Sequence, residues 1–195
     1  MTEPTPLPPL PLRTQRLVLR RFEAADLDAF HAYHSLPETA RFLPREAKNY
    51  TQSMESVGKY ANFVFEKEGD WVALAIEAAD SPGLLGEVVL KWAPGRGQAE
   101  VGWSLAPEAR GNGYAAEAAL EMLRLGFEEL DFHRIDAKLD ALNTASAALC
   151  ERLGMRLEST QVDKWHYKGQ WATEVVYAIL AEEWKARSEA KDPKV

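Results

Sequence analysis

The sequence predicts one domain of the α/β class, in the wide sense that includes α+β folds, with helices on both faces of a partly antiparallel sheet. Two observations support this prediction. Segments of helical periodicity alternate with short apolar runs, and three of those runs follow one another with only turns between them. The 195 residues suit one domain of ordinary size, and a hydrophobic fraction of 46% is enough for a packed core.

The first part of the chain predicts an arm, a strand and helices. Residues 1–12 contain most of the prolines and are expected to form an irregular, partly extended arm. A strand is expected at residues 17–22. Asp26 is a suitable N-cap for a helix that ends near Ser35, because the apolar residues between them recur at helical spacing. Residues 37–68 are mixed and mostly helical.

The middle of the chain predicts three strands in succession. They are Trp71–Glu77, Leu84–Trp92 and Gln98–Leu105. Turn residues separate them, at 80–83 and at 94–97, so the three strands are expected to form an antiparallel meander.

The clearest helix covers residues 115–130, where apolar side chains recur along one face. Asn143 and Gly154 are typical residues for the start and the end of a second helix, at 143–153. The remaining predicted elements are a strand at His133–Asp140, two strands at Met155–Val162 and Thr173–Leu180 joined across the Tyr167–Gln170 turn, and a short helix in the charged tail from Glu182 to Val195.

The composition argues against several classes of function. A formal net charge of -7 does not suit a general nucleic-acid binder, although it allows a phosphate-bearing small molecule. The one cysteine, Cys150, cannot form an internal disulfide, and the sequence has no Cys and His at metal-ligand spacing. No apolar run approaches the roughly 20 residues of a membrane span, and the N-terminus lacks the apolar core of a signal peptide. We therefore expect a cytoplasmic protein without metal, nucleic-acid or membrane partners.

Gly111 and Gly113 lie between a predicted strand and the clearest helix, where backbone N–H groups can approach an anion. A mononucleotide P-loop would need Lys-Ser or Lys-Thr after the last glycine, and Tyr114-Ala115 follow instead. A dinucleotide fold fits the glycine spacing, with Asp140 at the end of the next strand. That interpretation is weakened because residues 106–110 separate the strand from the turn.

A third class of ligand fits more of the sequence. The stretch from Leu105 to Ala115 resembles the acyl-CoA signature Arg/Gln-x-x-Gly-x-Gly/Ala of the GCN5-related N-acetyltransferase (GNAT) superfamily, with Arg110, Gly113 and Ala115 at its defining positions. Other segments resemble the RimJ/RimL branch of this family, which acetylates protein N-termini and other amines. They are Thr14–Arg20, Glu100–Trp103 in the family's fourth strand, Asn143–Met155 in its second signature helix, and Lys168–Tyr177 in its final hairpin.

The resemblance implies a GNAT fold, with a mixed, mostly antiparallel central sheet of about seven strands and helices on both faces. It places a single N-acetyltransferase domain at residues 13–184 and leaves residues 185–195 as a charged tail. It also implies that acetyl-CoA is the acyl donor and that no metal takes part.

By the same resemblance, the pyrophosphate of acetyl-CoA is expected on the backbone N–H groups of the glycine turn. The pantetheine arm is expected along the end of the family's fourth strand, where one N–H donates to the acetyl oxygen. Asn143 is similar to the asparagine that bonds the pantetheine, and it can also be a plain N-cap. The implied cofactor-binding residues are Trp103, Ser104, Leu105, Arg110, Gly111, Asn112, Gly113, Tyr114, Ala115, Asn143 and Ser146.

Two residues are implied in catalysis. Glu100 occupies the position where many relatives carry a base, often acting through water, and it alternates onto one strand face with Gly102 and Ser104. An exposed or ion-paired strand glutamate is the alternative interpretation. Many relatives protonate the leaving thiolate with a tyrosine, but here Cys150 stands in that place and is expected to be a small core residue. Ser146, four residues earlier on the same helical face, is the candidate group near the sulfur.

The implied reaction transfers the acetyl group to a primary amine by direct attack in a ternary complex. The N-terminal amine of a protein or peptide is the favoured acceptor. The alternatives are a small polyamine or aminoglycoside-like amine, or a non-catalytic acyl-CoA-binding domain, and homodimers are common in this branch. Candidates to line the acceptor cleft are His31, Tyr33, His34, Glu38, Trp71, Trp92, His166 and Tyr167.

Overall fold

A computed structural model describes residues 6–191, which fold around an eight-stranded sheet with the strand order β1-β2-β3-β4-β5-β6-β8-β7. The strands are β1 (Leu12–Arg13), β2 (Leu17–Arg20), β3 (Trp71–Ala78), β4 (Ser81–Trp92), β5 (Gln98–Leu105), β6 (Arg134–Asp140), β7 (Arg156–Tyr167) and β8 (Gln170–Leu180). The helices are α1 (Leu27–His34), α2 (Pro37–Ala40), α3 (Tyr50–Ala61), α4 (Tyr114–Arg124), α5 (Thr144–Leu153) and α6 (Ala181–Lys191).

All neighbouring strands are antiparallel except β5 and β6, which are parallel. The mixed, mostly antiparallel sheet is therefore confirmed. The strand beyond the expected seven is β1, in which Leu12 pairs with Leu19. Its two residues are too few to show an alternating pattern, and they follow directly on the prolines of the arm. The family's fourth strand is β5 in this numbering.

Helices cover both faces of the sheet, as predicted. On one face, α4 and α5 share a core with the strands, in which Met122, Cys150 and Val101 are buried together. On the other face, α1 and α3 enclose a second apolar cluster that contains Phe30, Val57 and Ala75. The small residues Ala118 and Ala119 are fully buried and let α4 lie close to the sheet.

The helix predicted at 115–130 changes its winding near its end. Beyond α4, the residues Leu125–Glu129 form a π-helical turn, in which Leu130 N–H bonds to Leu125 O at 3.0 Å. A side chain at Gly126 would collide with Ile135 of the sheet, so a glycine is needed for the backbone to approach β6 this closely.

Side chains of the C-terminal helix α6 attach it to the domain. Trp184 is buried, and Arg187 donates hydrogen bonds to the carbonyl groups of Arg152 and Leu153 at the end of α5. The domain limits at residues 13 and 184 stay predictions, and the arm and tail expected at either end fall partly outside the described residues. Within residues 6–191, no helix is long and apolar enough to cross a membrane.

Candidate active site

The parallel strands β5 and β6 part in the middle of the sheet. Their register runs from Gln98 opposite Arg134 to Glu100 opposite Asp136, although β5 continues to Leu105 and β6 to Asp140. From there β5 stays paired with β4, and β6 stays paired with β8. A gap therefore opens between the two strands, and one edge of β5 is left without a strand partner along it.

The position of Gly86 on β4 shows which residues of β5 direct their backbone groups into this gap. A side chain at Gly86 would collide with the Ser104 carbonyl oxygen, so Ser104 directs its backbone groups toward β4. Because these groups alternate along a strand, those of Trp103 and Leu105 face the gap. The Leu105 carbonyl accepts a hydrogen bond from Arg110 Nε at 3.1 Å. The N–H groups of Trp103 and Leu105 therefore both face the gap, where either can donate to a ligand carbonyl, and Ser104 contributes to the gap less directly.

The glycine turn leaves a run of backbone N–H groups free at the start of α4. Gly111 and Gly113 have φ values of 79° and 80°, in the left-handed region that favours glycine. The first helical bond is from Glu117 N–H to Gly113 O, and no acceptor among residues 6–191 takes the N–H groups of residues 111–116. A side chain at Gly111 would meet nothing within 4 Å. Free N–H groups at a helix N-terminus suit a phosphate or pyrophosphate.

Glu117 and Arg16 hold this turn in place. Glu117 accepts hydrogen bonds from Thr14 Oγ1 at 2.6 Å and from the backbone N–H and the Nε of Arg16, both at 2.7 Å. Arg16 also donates to Asn112 O at 3.1 Å and lies over the Tyr114 ring. Burial alone would raise the pKa of Glu117, but these hydrogen bonds lower it below its usual value. The β1–β2 connection is thereby tied to the first turn of α4.

The short helix α2 bridges the glycine turn and the final hairpin. Arg110 donates from Nη2 to Thr39 Oγ1 at 3.2 Å, and its Nη1 lies 3.5 Å from Glu38 Oε1. At the other end of α2, the Lys168 ammonium donates to Ala40 O. Arg110 therefore contacts β5 and α2 with one guanidinium group, and the tip of the β7–β8 hairpin reaches the same helix.

Glu100 lies at the point where β5 and β6 part. Its carboxylate is paired with Lys138 Nζ at 2.7 Å, and its side chain is 30% exposed. The same ammonium lies 3.7 Å from Asp136 Oδ1, a buried oxygen that accepts no hydrogen bond from residues 6–191. Burial, with a smaller contribution from Glu100, raises the pKa of Asp136 above its usual value, and Lys138 opposes this rise. The sequence did not single out Asp136 or Lys138.

Further carboxylates continue along this face toward the hairpin. Asp140 accepts a hydrogen bond from the Tyr167 hydroxyl at 2.7 Å. Glu174, opposite Asp140 in the sheet, accepts from Lys164 Nζ and from Trp165 Nε1. With Glu100 and Asp136, these groups make the face acidic, which favours a positively charged ligand.

A second carboxylate on the face of Glu100 is buried and was missed by the sequence analysis. Glu87 lies opposite Ser104 in the β4–β5 register. It accepts hydrogen bonds from the Tyr33 hydroxyl and from His34 Nε2, the latter at 2.8 Å. The guanidinium of Arg45 can only donate, so His34 Nδ1 accepts its hydrogen bond at 2.9 Å. Glu87, Tyr33 and His34 are all less than 6% exposed.

The other acceptor-cleft candidates lie in varied surroundings. Trp92 packs in the core against Phe65 and Phe132, whereas Glu38 is largely exposed beside Arg110. His166 contacts the Trp171 ring on the exposed hairpin. Tyr167, through its bond to Asp140, is the candidate that belongs to the acidic face.

Helix α5 begins beside the end of β6. Asn143 caps it, since its Oδ1 accepts the Ser146 N–H at 3.2 Å. Ser146 is partly exposed, and Cys150, one turn later, is fully buried. Burial raises the pKa of the Cys150 thiol to about 12, so the thiol stays protonated and unreactive at neutral pH. This environment matches the expected small core residue.

The gap and the glycine turn together suit an elongated thioester that carries a pyrophosphate. The turn supplies N–H donors for the phosphates, β5 supplies a backbone edge, and Glu100 is within reach of the gap. In contrast, no three His, Cys, Asp or Glu side chains in the described part of the chain are arranged to hold a metal ion.

Comparison with known proteins gives the family. Residues 16–156 match the acetyltransferase (GNAT) domain. The uncharacterized N-acetyltransferase YnaD of Bacillus subtilis is 32% identical over 174 residues, which span 89% of this chain and 98% of YnaD. A GNAT-family acetyltransferase from Bacillus anthracis superposes with a TM-score of 0.80 and 29% identity, over 89% of this chain and 99% of that chain. Spermidine N-acetyltransferase from Vibrio cholerae, solved with CoA and spermine, shares the fold at a TM-score of 0.74 and 22% identity, over 88% of this chain and 99% of that chain. The chain therefore belongs to the GNAT family of N-acetyltransferases, whose acyl donor is acetyl-CoA.

Proposed function

We propose that the chain binds acetyl-CoA between β5 and β6 and transfers its acetyl group to a primary amine presented on the acidic face. The observation that supports this most strongly is the free edge of β5 beside the run of free N–H groups at residues 111–116. In this proposal the pyrophosphate binds those N–H groups, the Trp103 N–H donates to the acetyl oxygen, and Asn143 and Ser146 contact the pantetheine end.

The chemistry requires a group that takes a proton from the acceptor ammonium. Glu100 is assigned this role, directly or through a water molecule, because it lies where the strands part and is partly exposed. The neutral amine then attacks the thioester carbon, and the thiolate of CoA leaves. Ser146 is the hydroxyl assigned to the thiolate, since it is partly exposed, whereas Cys150 is fully buried and out of reach of a ligand.

The acceptor is proposed to be the N-terminal amine of a protein or peptide, as in the RimJ/RimL branch. A small polyamine is the second candidate, because Glu100, Asp136, Asp140 and Glu174 form a face that would attract several positive charges. The shared fold with a spermidine N-acetyltransferase agrees with the second candidate without deciding between the two. A cytoplasmic location and a homodimer complete the proposal.

A thermal-shift titration with acetyl-CoA, CoA and NADH tests the donor site. A ligand at about 100 times its Kd adds roughly 2.7 kcal/mol, which raises Tm by about 5–10 °C at this size. We expect both CoA species to stabilise the protein and NADH to have no effect. Stabilisation by NADH alone would refute the donor assignment.

A panel of amines then tests the acceptor. CoA release is followed with peptides that carry free N-termini, with spermidine and with an aminoglycoside. Turnover of peptides alone supports an N-terminal acetyltransferase, and turnover of spermidine alone supports the second candidate. Binding of acetyl-CoA with no turnover of any amine would contradict the catalytic proposal.

A further inference from the structure

Lys138 lies beside the gap between β5 and β6. It is two residues beyond Asp136, the last residue of β6 that pairs with β5, and it shares a sheet face with Asp136. At a rise of about 3.3 Å per residue, its Cα is roughly 6.6 Å farther along β6, level with Gly102. Its flexible side chain can therefore reach across the unpaired part of β5.

The ammonium of Lys138 has the surroundings that the proposed reaction requires of an acceptor. Nζ lies 2.7 Å from Glu100 Oε2, the carboxylate assigned as the base, and 3.7 Å from Asp136 Oδ1. The side chain is 37% exposed, so part of it lies outside the packed interior. A primary amine of the protein thus occupies the place in which a substrate amine would be deprotonated.

We propose that Lys138 is a self-acetylation site, to which the chain transfers the acetyl group of its own bound acetyl-CoA. This inference rests on the proposed function. The Lys138 ammonium gives one proton to Glu100, and the neutral Nζ forms a bond to the thioester carbonyl carbon. The C–S bond then breaks, and the CoA thiolate takes up a proton. The products are Nε-acetyl-lysine, CoA thiol and one released proton.

The charges around Lys138 hold its amine in the ammonium form. Glu100 faces it from β5, Asp136 from its own strand, and Glu174 from β8. Burial alone would lower the pKa of Lys138, but these carboxylates raise it above its ordinary value. The ammonium form therefore prevails at neutral pH, and the reaction depends on Glu100 to take the proton. Because that transfer leaves the number of protons on the pair unchanged, the rate of self-acetylation is expected to change little between pH 7 and pH 8.

Other lysines of the chain provide internal controls. Lys91 also flanks Glu100, but on β4, the strand on the opposite side from the gap, and its ammonium lies over the Trp71 ring. Lys59 is exposed on α3, away from the gap. Acetyl-CoA that reacts without the enzyme's geometry would modify the exposed amine of Lys59 at least as fast as that of Lys138.

The test incubates the full chain with acetyl-CoA and no added amine, then maps the acetylated lysines by mass spectrometry over time. We expect acetylation at Lys138 at least about tenfold faster than at Lys91 or Lys59, since the bound donor is held beside it. The rate per molecule should not change when the protein is diluted at saturating acetyl-CoA. Lys138→Arg keeps the positive charge. It should abolish the fast acetylation at this position, and acetyl-CoA should still stabilise the variant.

Four results would overturn the inference. One is an unmodified Lys138 in a protein that acetyl-CoA stabilises, which would leave the proposed function intact. Another is modification of Lys138, Lys91 and Lys59 at similar rates, and a third is a rate that depends on protein concentration. The fourth is the absence of stabilisation by acetyl-CoA, which would refute the proposed function together with this inference.

Discussion

Glu87 and Glu100 lie on the same face of the sheet, on adjacent strands, yet their surroundings differ. The Glu87 side chain is 7% exposed, and both of its oxygens accept hydrogen bonds, from Tyr33 and His34. Glu100 is 30% exposed, and its ion-pair partner Lys138 is itself partly exposed. A buried carboxylate with every partner in place stabilises the fold. A half-exposed carboxylate beside an open strand edge can exchange its partner for a substrate.

Mutation of Glu87 is expected to have the largest effect, and that effect is on stability. Glu87→Ala leaves Tyr33 and His34 buried without their acceptor, which typically costs about 3–5 kcal/mol. At this chain length the loss corresponds to a fall in Tm of roughly 6 °C or more. Differential scanning calorimetry measures it, and Glu87→Gln, which keeps one acceptor, is the matched control with a smaller loss. A Glu87→Ala protein with unchanged Tm but no turnover would reverse the roles of the two glutamates.

Mutation of Glu100 is expected to act on turnover instead. Glu100→Gln removes the proposed base, and loss of such a group typically lowers the rate about 10²-fold or more. An exposed ion pair contributes only about 0–1 kcal/mol, so Tm should change little. Steady-state kinetics with the amine that is turned over fastest measure the fall in turnover. The affinity for acetyl-CoA, measured by calorimetric titration, serves as the control. Equal turnover of wild type and Glu100→Gln across pH would show that Glu100 is not the base.

Substitutions at two glycines can distinguish an effect on acetyl-CoA binding from an effect on stability. Gly111 and Gly169 have φ values of 79° and 74°, and a side chain at either would meet nothing within 4 Å. Alanine at either position should cost about 1–2 kcal/mol through backbone strain. Gly111→Ala should also weaken acetyl-CoA binding, by about tenfold if one donor N–H is displaced, whereas Gly169→Ala in the hairpin turn should not. Equal acetyl-CoA affinities of the two variants would contradict the placement of the pyrophosphate.

The smallest expected effect is on the pH dependence of stability, and it comes from Glu117, which holds the glycine turn in place. The pKa of Glu117 is lower in the folded protein than in the unfolded chain. Its contribution to stability is therefore present above the unfolded pKa, about 4.3, and is lost as pH falls through the folded pKa. Chemical unfolding from pH 6 to pH 3 should show a shallower acid decline for Glu117→Gln than for wild type. Parallel curves would mean that Thr14 and Arg16 do not favour the charged form.

The fold was largely predictable, because its signals are local. The caps of α5 at Asn143 and Gly154 and the strand runs of β3, β4 and β5 lie within short stretches of sequence. What the sequence could not show depends on contacts between distant segments. The π-helical turn after α4 lies where Gly126 approaches Ile135 of β6, and the two-residue strand β1 depends on its partner β2.

The proposed donor and acceptor sides of the site also differ in how local their sequence signals are. The proposed donor side is one continuous motif, from Arg110 to Ala115, so a short stretch of sequence was enough to predict it. The proposed acceptor side would be assembled from Glu100, Asp136, Lys138 and Glu174, which lie on three strands. Glu87 and Glu100 have the same signature, a glutamate among apolar strand residues, so only the packing of α1 onto β4 distinguishes the buried one from the exposed one.

The four residues of α2 have a consequence for how the two substrates bind. Arg110 of the glycine turn holds one part of this helix, and Lys168 of the hairpin holds its end. A ligand that draws Arg110 toward a phosphate, and an acceptor that displaces Lys168, would both alter the position of the same short segment. Their affinities are then thermodynamically linked, and whatever factor CoA applies to amine binding, the amine must apply to CoA binding.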